Sequence, residues 1–314
     1  GPMQLVTGDA GMSGISGNVG ITTGVSGGGT SGTVTLATGQ SQDGSAGNIN
    51  LVVGSGNDLD GGDIVMSAGR STAQAQQGGR VLITGGEGSS TDGTDGGNGG
   101  EVMISGGGAK GLHPTDNGGD VELQGGGAYA GYGGDLHLKS GASTLASSGS
   151  LLFETANAGL AGVSGNVIMQ TGTTSMGDSG SIALQTGQAT SGAAGYISLV
   201  VGEGNSGAGG HVEIKAGQTT DVEGALGGYV VVQTGYSKSS SSGQLYLRTA
   251  DAGVEGVSGE IVAATGTSTA GDSGSVQMTT GDAQNGRGGD IYMQVGSGDS
   301  GAGGDVLVYA GQST

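Results

Sequence analysis

The stretch Val34-Thr35-Leu36-Ala37-Thr38-Gly39 is followed, 15 residues on, by Ile49-Asn50-Leu51-Val52-Val53-Gly54. The same spacing separates Ile182-Ala183-Leu184-Gln185-Thr186-Gly187 from Ile197-Ser198-Leu199-Val200-Val201-Gly202. Working outward from these, 20 repeats tile the chain, the last truncated. They start at Met3, Val19, Val34, Ile49, Ile64, Val81, Val102, Val121, Leu136 and Leu151, then at Val167, Ile182, Ile197, Val212, Val230, Leu245, Ile261, Val276, Ile291 and Val306. Each reads apolar-x-apolar-x-Thr/Val/Ala-Gly, then a small or polar stretch, then Gly-x-Ser/Gly-Gly-x.

The opening alternation has period 2, the signature of a short strand with one apolar face. Positions 1, 3 and 5 are expected to point inward. Position 5 accepts Thr38, Val53 and Ala68 in consecutive repeats, which marks a narrow slot where a Thr hydroxyl bonds locally. Positions 2 and 4 then point outward, as at Glu213 and Lys215, or Tyr246 and Arg248. One strand cannot bury its apolar face alone, and stacking successive repeats gives a continuous core. The expectation is an all-β fold: a parallel β-solenoid, or β-helix, of about 20 thin coils. Its cross-section is flattened or small and triangular, with Gly supplying corners and close approach of the walls.

Composition sets limits on class. Gly contributes 79 of 314 residues, Pro 2, Cys 0 and Trp 0. Collagen needs strict G-X-Y with abundant Pro, and a disulfide or Cys-ligated zinc scaffold needs Cys. No run of 18 apolar residues is present to span a membrane. Lys+Arg is 8 against Asp+Glu 27, a net charge of −19, the opposite of a nucleic-acid binder's basic face. Charged residues are only 11% and hydrophobic ones 33%, unlike a highly charged disordered chain.

A longer period overlies the short one. Thr155-Ala156-Asn157-Ala158-Gly159 recurs 94 residues later as Thr249-Ala250-Asp251-Ala252-Gly253. Sub-blocks at 3–150, 151–244 and 245–314 follow within one continuous domain, 3–314. Gly1-Pro2 reads as a protease scar. Neither end carries a cap, so end-to-end self-association is expected.

Departures from the repeat are the local pointers to function. The repeats at Ile64, Val81 and Val102 run to 17, 21 and 19 residues, and insertions in a solenoid become loops on one face. In the repeats at Val81, Val102 and Val121, position 5 becomes Gly85, Gly106 and Gly125, so either the loops or a ligand approach the backbone there. Asp92, Asp95, His113, Tyr129 and Tyr132 are the candidate binding residues of a glycan or partner groove over 70–135, with Tyr stacking. Asp58, Asp60 and Asp63 crowd one turn, and Glu101, Asp120 and Asp135 occupy the last position of three successive repeats. Stacked carboxylates repel unless a cation or counter-residue intervenes, so these six are candidate metal ligands, with calcium the possible cofactor. Gly56-Asn57-Asp58-Leu59-Asp60-Gly61-Gly62-Asp63 resembles the calcium turns of RTX repeats, although the nonapeptide period of those repeats is not the period here. The bland account of all these carboxylates is that they hydrate the turns.

Catalytic constellations are missing. His113, His137 and His211 lie in separate repeats, and no H-E-x-x-H, G-x-S-x-G or Walker A pattern occurs. The chain is not expected to be an enzyme. A polysaccharide-active solenoid, which uses carboxylates on a sheet face, is the most distant alternative. Ice binding is the nearer one. Some antifreeze solenoids carry an outward Thr ladder on coils of this size, whereas Thr155, Thr171 and Thr186 occupy a position assigned inward.

The pattern Gly-x-Ser-Gly-x-Val/Ile-x-Leu-x-Thr-Gly, end to end, looks like the Gly/Ser/Thr-rich repeat proteins of algal surfaces, diatoms especially, and like bacterial adhesin solenoids. That resemblance implies an extracellular or cell-surface location. It also implies a structural or adhesive role, with a rigid acidic wall presented to glycan, mineral or cations.

Overall fold

The structure, a computed structural model, describes every residue except Ser13, Asp58, Ser313 and Thr314. Two units divide the chain, Gly1–Val167 and Ile168–Thr314. Among the described residues there is no helix and no strand, and no residue is buried. This overturns the expected β-solenoid. The alternating segments do not pair into a ladder among the described residues.

The side chains expected to build the core lie in solvent. At position 1, Val19 is 54% exposed and Ile49 48%. The chain exposes 31860 Å² in all. For a mass of 29.5 kDa, a folded monomer exposes about 11,500 Å² and the fully unfolded chain about 43,000 Å². The physical reason lies in composition. Positions 1 and 3 of most repeats offer only two large apolar side chains on one face to offset the ordering of some 15 residues. A quarter of the chain is Gly, the residue that loses most backbone freedom on ordering. Alternation fixes which way side chains point, but it does not supply the buried area that makes strands pair.

What order there is lies inside each repeat. The chain leaves position 6 and returns so that the second-last residue, Gly in all 19 complete repeats, comes back against position 5. We call this approach the neck. Nine described residues are half-buried, and seven of them occupy position 5: Thr7, Ala68, Gly125, Ser140, Ala216, Thr234 and Thr249. The three Val residues at that position, Val53, Val201 and Val295, are the least exposed large apolar side chains. Burial is therefore concentrated at the slot singled out from sequence, while positions 1 and 3 stay in water.

Position 5 also sets how tightly the neck closes. In the first unit, Gly79 N–H donates to the Gly69 carbonyl, Gly100 to Gly86, Gly119 to Gly107 and Gly134 to Gly126, each at 2.8 Å, and Gly149 donates to Gly141 at 2.9 Å. In the second unit, Gly228 donates to Gly217 at 2.9 Å and Gly243 to Gly235 at 3.0 Å. The six complete repeats with Gly, Ala or Ser at position 5 all make this bond. Of the thirteen with Thr or Val there, the Thr234 repeat alone does, and its bond is the longest of the seven. A β-branched side chain meets the returning Gly and holds the two segments apart. A Cβ on Gly62 or Gly304 would lie 3.0 Å from the facing Val methyl, and one on Gly32 3.3 Å from Thr23. Three such repeats use the hydroxyl instead: Thr23, Thr186 and Thr280 donate to the carbonyls of Gly32, Gly195 and Gly289, each at 3.3 Å. The local hydroxyl bond expected at the slot is thus present.

At the far end of some repeats a serine turn caps the loop. Ser26, Ser143 and Ser237, all at position 8, accept the amides of Gly29, Ala146 and Ser240 at 3.0, 2.9 and 3.0 Å. A hydroxyl that bonds the backbone three residues on competes with any ladder the same amide could join.

Candidate functional site

The long repeats over 70–135 hold the densest local structure in the first unit. Gly85, Gly106 and Gly125 face the carbonyls of Gly100, Gly119 and Gly134 so closely that none has room for a Cβ. What approaches the backbone at these glycines is the repeat's own return segment.

Two loops beyond these necks are organised by a carboxylate. Asp92 Oδ1 accepts the amides of Thr94 at 2.8 Å and Asp95 at 3.2 Å. Those two bonds favour the ionised form and hold the Asp92 carboxyl below its ordinary range. Asp95 contributes its amide to this turn. In the next repeat, Asp116 Oδ2 accepts the His113 amide at 2.9 Å, and the Asp116 amide donates to the His113 carbonyl at 3.0 Å. His113 Nδ1 lies 2.8 Å from Thr115 Oγ1. Gly111 makes this turn possible, because a Cβ there would collide with the Asp116 carboxylate. Asp116 was not singled out from sequence. The signal available was a carboxylate three residues after His113, the spacing at which a side chain can accept an upstream amide.

The other candidates are more dispersed. Tyr129 and Tyr132 stand in solvent, 106% and 102% exposed, and neither hydroxyl has a hydrogen-bond partner among the described residues. Asp58 lies outside the described residues. Asp60 and Asp63 are exposed, and the Asp60 carbonyl faces Gly56. Glu101, Asp120 and Asp135 are exposed as well, and without a sheet the strand spacing that would stack them is not made. Among the described residues, no three His, Asp or Glu side chains converge as a metal site would require. Asp135 has a counter-residue, His137, at 3.6 Å. Arg287 does the same for Asp290 at 3.1 Å, and Lys215 pairs with Glu213. All three pairs lie in water, where such contacts contribute little.

Outside this region Tyr246 and Arg248 flank a shallow surface hollow, with the Tyr246 hydroxyl bonded to Gln244. Tyr292 makes the corresponding contact with Gln294 at 3.2 Å. No helix among the described residues is long and apolar enough to cross a membrane. No protein-family model, no curated protein and no solved structure matches this chain.

Proposed function

We propose that this chain is a non-enzymatic structural or adhesive segment of an extracellular or cell-surface protein. In this reading it works as an open acidic repeat, offering carboxylates to cations and through them to mineral or anionic glycan. The observation that supports the reading is the state of the acids. Every described Asp and Glu is exposed, and Asp+Glu outnumber Lys+Arg 27 to 8. Carboxylates so placed attract cations as a diffuse atmosphere, without a built coordination shell. The attraction weakens as salt screens it. A flat sheet face, on which the ice-binding alternative rests, is not supplied by the described residues.

The test is calcium uptake by the whole chain, followed with an ion-selective electrode at low and at physiological salt, beside adsorption to calcium carbonate particles. The expected result is weak, graded uptake without fixed stoichiometry, reduced severalfold by added salt, with adsorption that follows the same salt dependence. Absence of uptake at low salt would overturn the proposal. So would a tight, saturable, salt-insensitive site, which would call for ligands gathered at one place.

A further inference from the structure

The chain contains three Asn-Gly pairs: Asn98-Gly99, Asn117-Gly118 and Asn285-Gly286. Such a pair is chemically reactive because the Gly amide nitrogen can attack the Asn side-chain carbonyl with no Cβ in its way. The surroundings of the three differ. Asn98-Gly99 and Asn117-Gly118 immediately precede latched residues, Gly100 bonded to Gly86 and Gly119 bonded to Gly107. The Asn117 amide is held too, donating to the Thr115 carbonyl at 3.1 Å. To present its nitrogen, Gly99 or Gly118 must rotate a peptide plane next to a closed neck.

Asn285-Gly286 sits at the opposite end of its repeat, in the turn, with Asn285 in the left-handed region at φ 59°. Its place corresponds to the serine-capped turns. There, the hydroxyl of Ser26, Ser143 or Ser237 at position 8 accepts the amide of position 11. In this repeat position 8 is Ala283, whose Cβ would lie 3.9 Å from a Cβ placed on Gly286 and whose side chain has no oxygen to accept the Gly286 N–H. Asn285 and Gly286 are both exposed, and neither takes part in a hydrogen bond within the described residues.

We propose that Asn285-Gly286 is a site of spontaneous covalent modification, the first asparagine of this chain to deamidate. The Gly286 nitrogen forms a bond to the Asn285 side-chain carbonyl carbon and gives up its proton. The carbon–nitrogen bond of the side-chain amide breaks, and ammonia leaves. Water then opens the cyclic imide at either carbonyl, giving aspartate or isoaspartate with no change of oxidation state. The product carries one more negative charge, three residues from Asp282. Where isoaspartate forms, the turn also gains a backbone atom.

The experiment incubates the full chain in mildly alkaline buffer and follows each pair by peptide mapping, with fragmentation that separates aspartate from isoaspartate. Asn285 is expected to convert about fivefold faster than Asn98 or Asn117, the factor one backbone hydrogen bond contributes. An Ala283→Ser variant, which restores the capping hydroxyl, is expected to slow Asn285 and leave the other two unchanged. Equal rates at all three pairs, or faster conversion of either latched pair, would overturn the proposal. An Ala283→Ser variant that converts as fast as the parent chain would overturn it equally.

Discussion

Residues 64–149 and residues 182–210 follow the same repeat, yet their necks differ. In the first region five successive repeats carry Ala68, Gly85, Gly106, Gly125 and Ser140 at position 5, and each closes with a backbone bond at 2.8 or 2.9 Å. In the second, Thr186 and Val201 occupy that position and no backbone bond closes the neck; the Thr186 hydroxyl reaches the Gly195 carbonyl instead. A branched side chain at position 5 disfavours the closed state, and the Thr234 repeat, which closes with the longest bond at 3.0 Å, shows that it does not forbid it. A backbone N–H···O bond requires the segments to approach within about 3 Å, and a branched Cβ fills that gap. The long insertions at Ser89–Asn98 and Lys110–Asn117 occur where the necks are closed, so the loops are anchored at their base although nothing packs on them.

The largest effect is expected from forcing a closed neck open. Gly106→Val places a branched side chain against the Gly119 carbonyl, and the Gly119–Gly107 bond should vanish. Amide exchange at Gly119 should then rise by roughly two- to tenfold, the range set by a net bond contribution of about 0.5–1.5 kcal/mol. Unchanged exchange would mean that position 5 does not gate the neck. The converse substitution sharpens the point. Thr186→Gly removes the spacer, and the Gly195 amide should acquire protection and a through-bond coupling to the Gly187 carbonyl, of similar size but starting from a longer neck.

A smaller effect is expected from acid. The Asp92 carboxyl is held below its ordinary range by the Thr94 and Asp95 amides, so the turn is favoured while the carboxylate is ionised. A lowered pKa makes this contribution present above the unfolded value and lost as pH falls through the folded one. The Thr94 and Asp95 amide shifts should therefore move together, with a midpoint below that of an unbonded Asp. A midpoint at or above the ordinary carboxylate range would remove the two amide bonds from the description. The smallest effect is expected at Arg287→Gln. It breaks the Arg287–Asp290 pair but should leave the exchange of neighbouring amides unaltered, because the pair is exposed.

Much of this organisation is legible in the residues. The 15-residue register, the slot at position 5 and the local bond of its Thr hydroxyl can all be read from the alternation and from the interchange of Thr38, Val53 and Ala68. The second-last Gly could have been read as the partner of that slot, since every complete repeat carries it. The parallel sheet expected from the same alternation is not made among the described residues. Val34 and Leu36 alternate as a strand would, but alternation reports side-chain direction only, and pairing depends on buried area that these repeats lack. The candidate binding residues divide along the same line. Asp92 and His113 belong to turns set by short-range spacing, whereas Tyr129 and Tyr132 stand in solvent, where their surroundings depend on more than local sequence.

Differential scanning calorimetry of the whole chain tests most directly that order resides within repeats and not between them. With no buried residue among those described there is no core to melt, so the expected trace is flat, with no cooperative endotherm. An endotherm approaching about 0.7 kcal/mol per residue, the enthalpy of an ordinary packed domain, would contradict it.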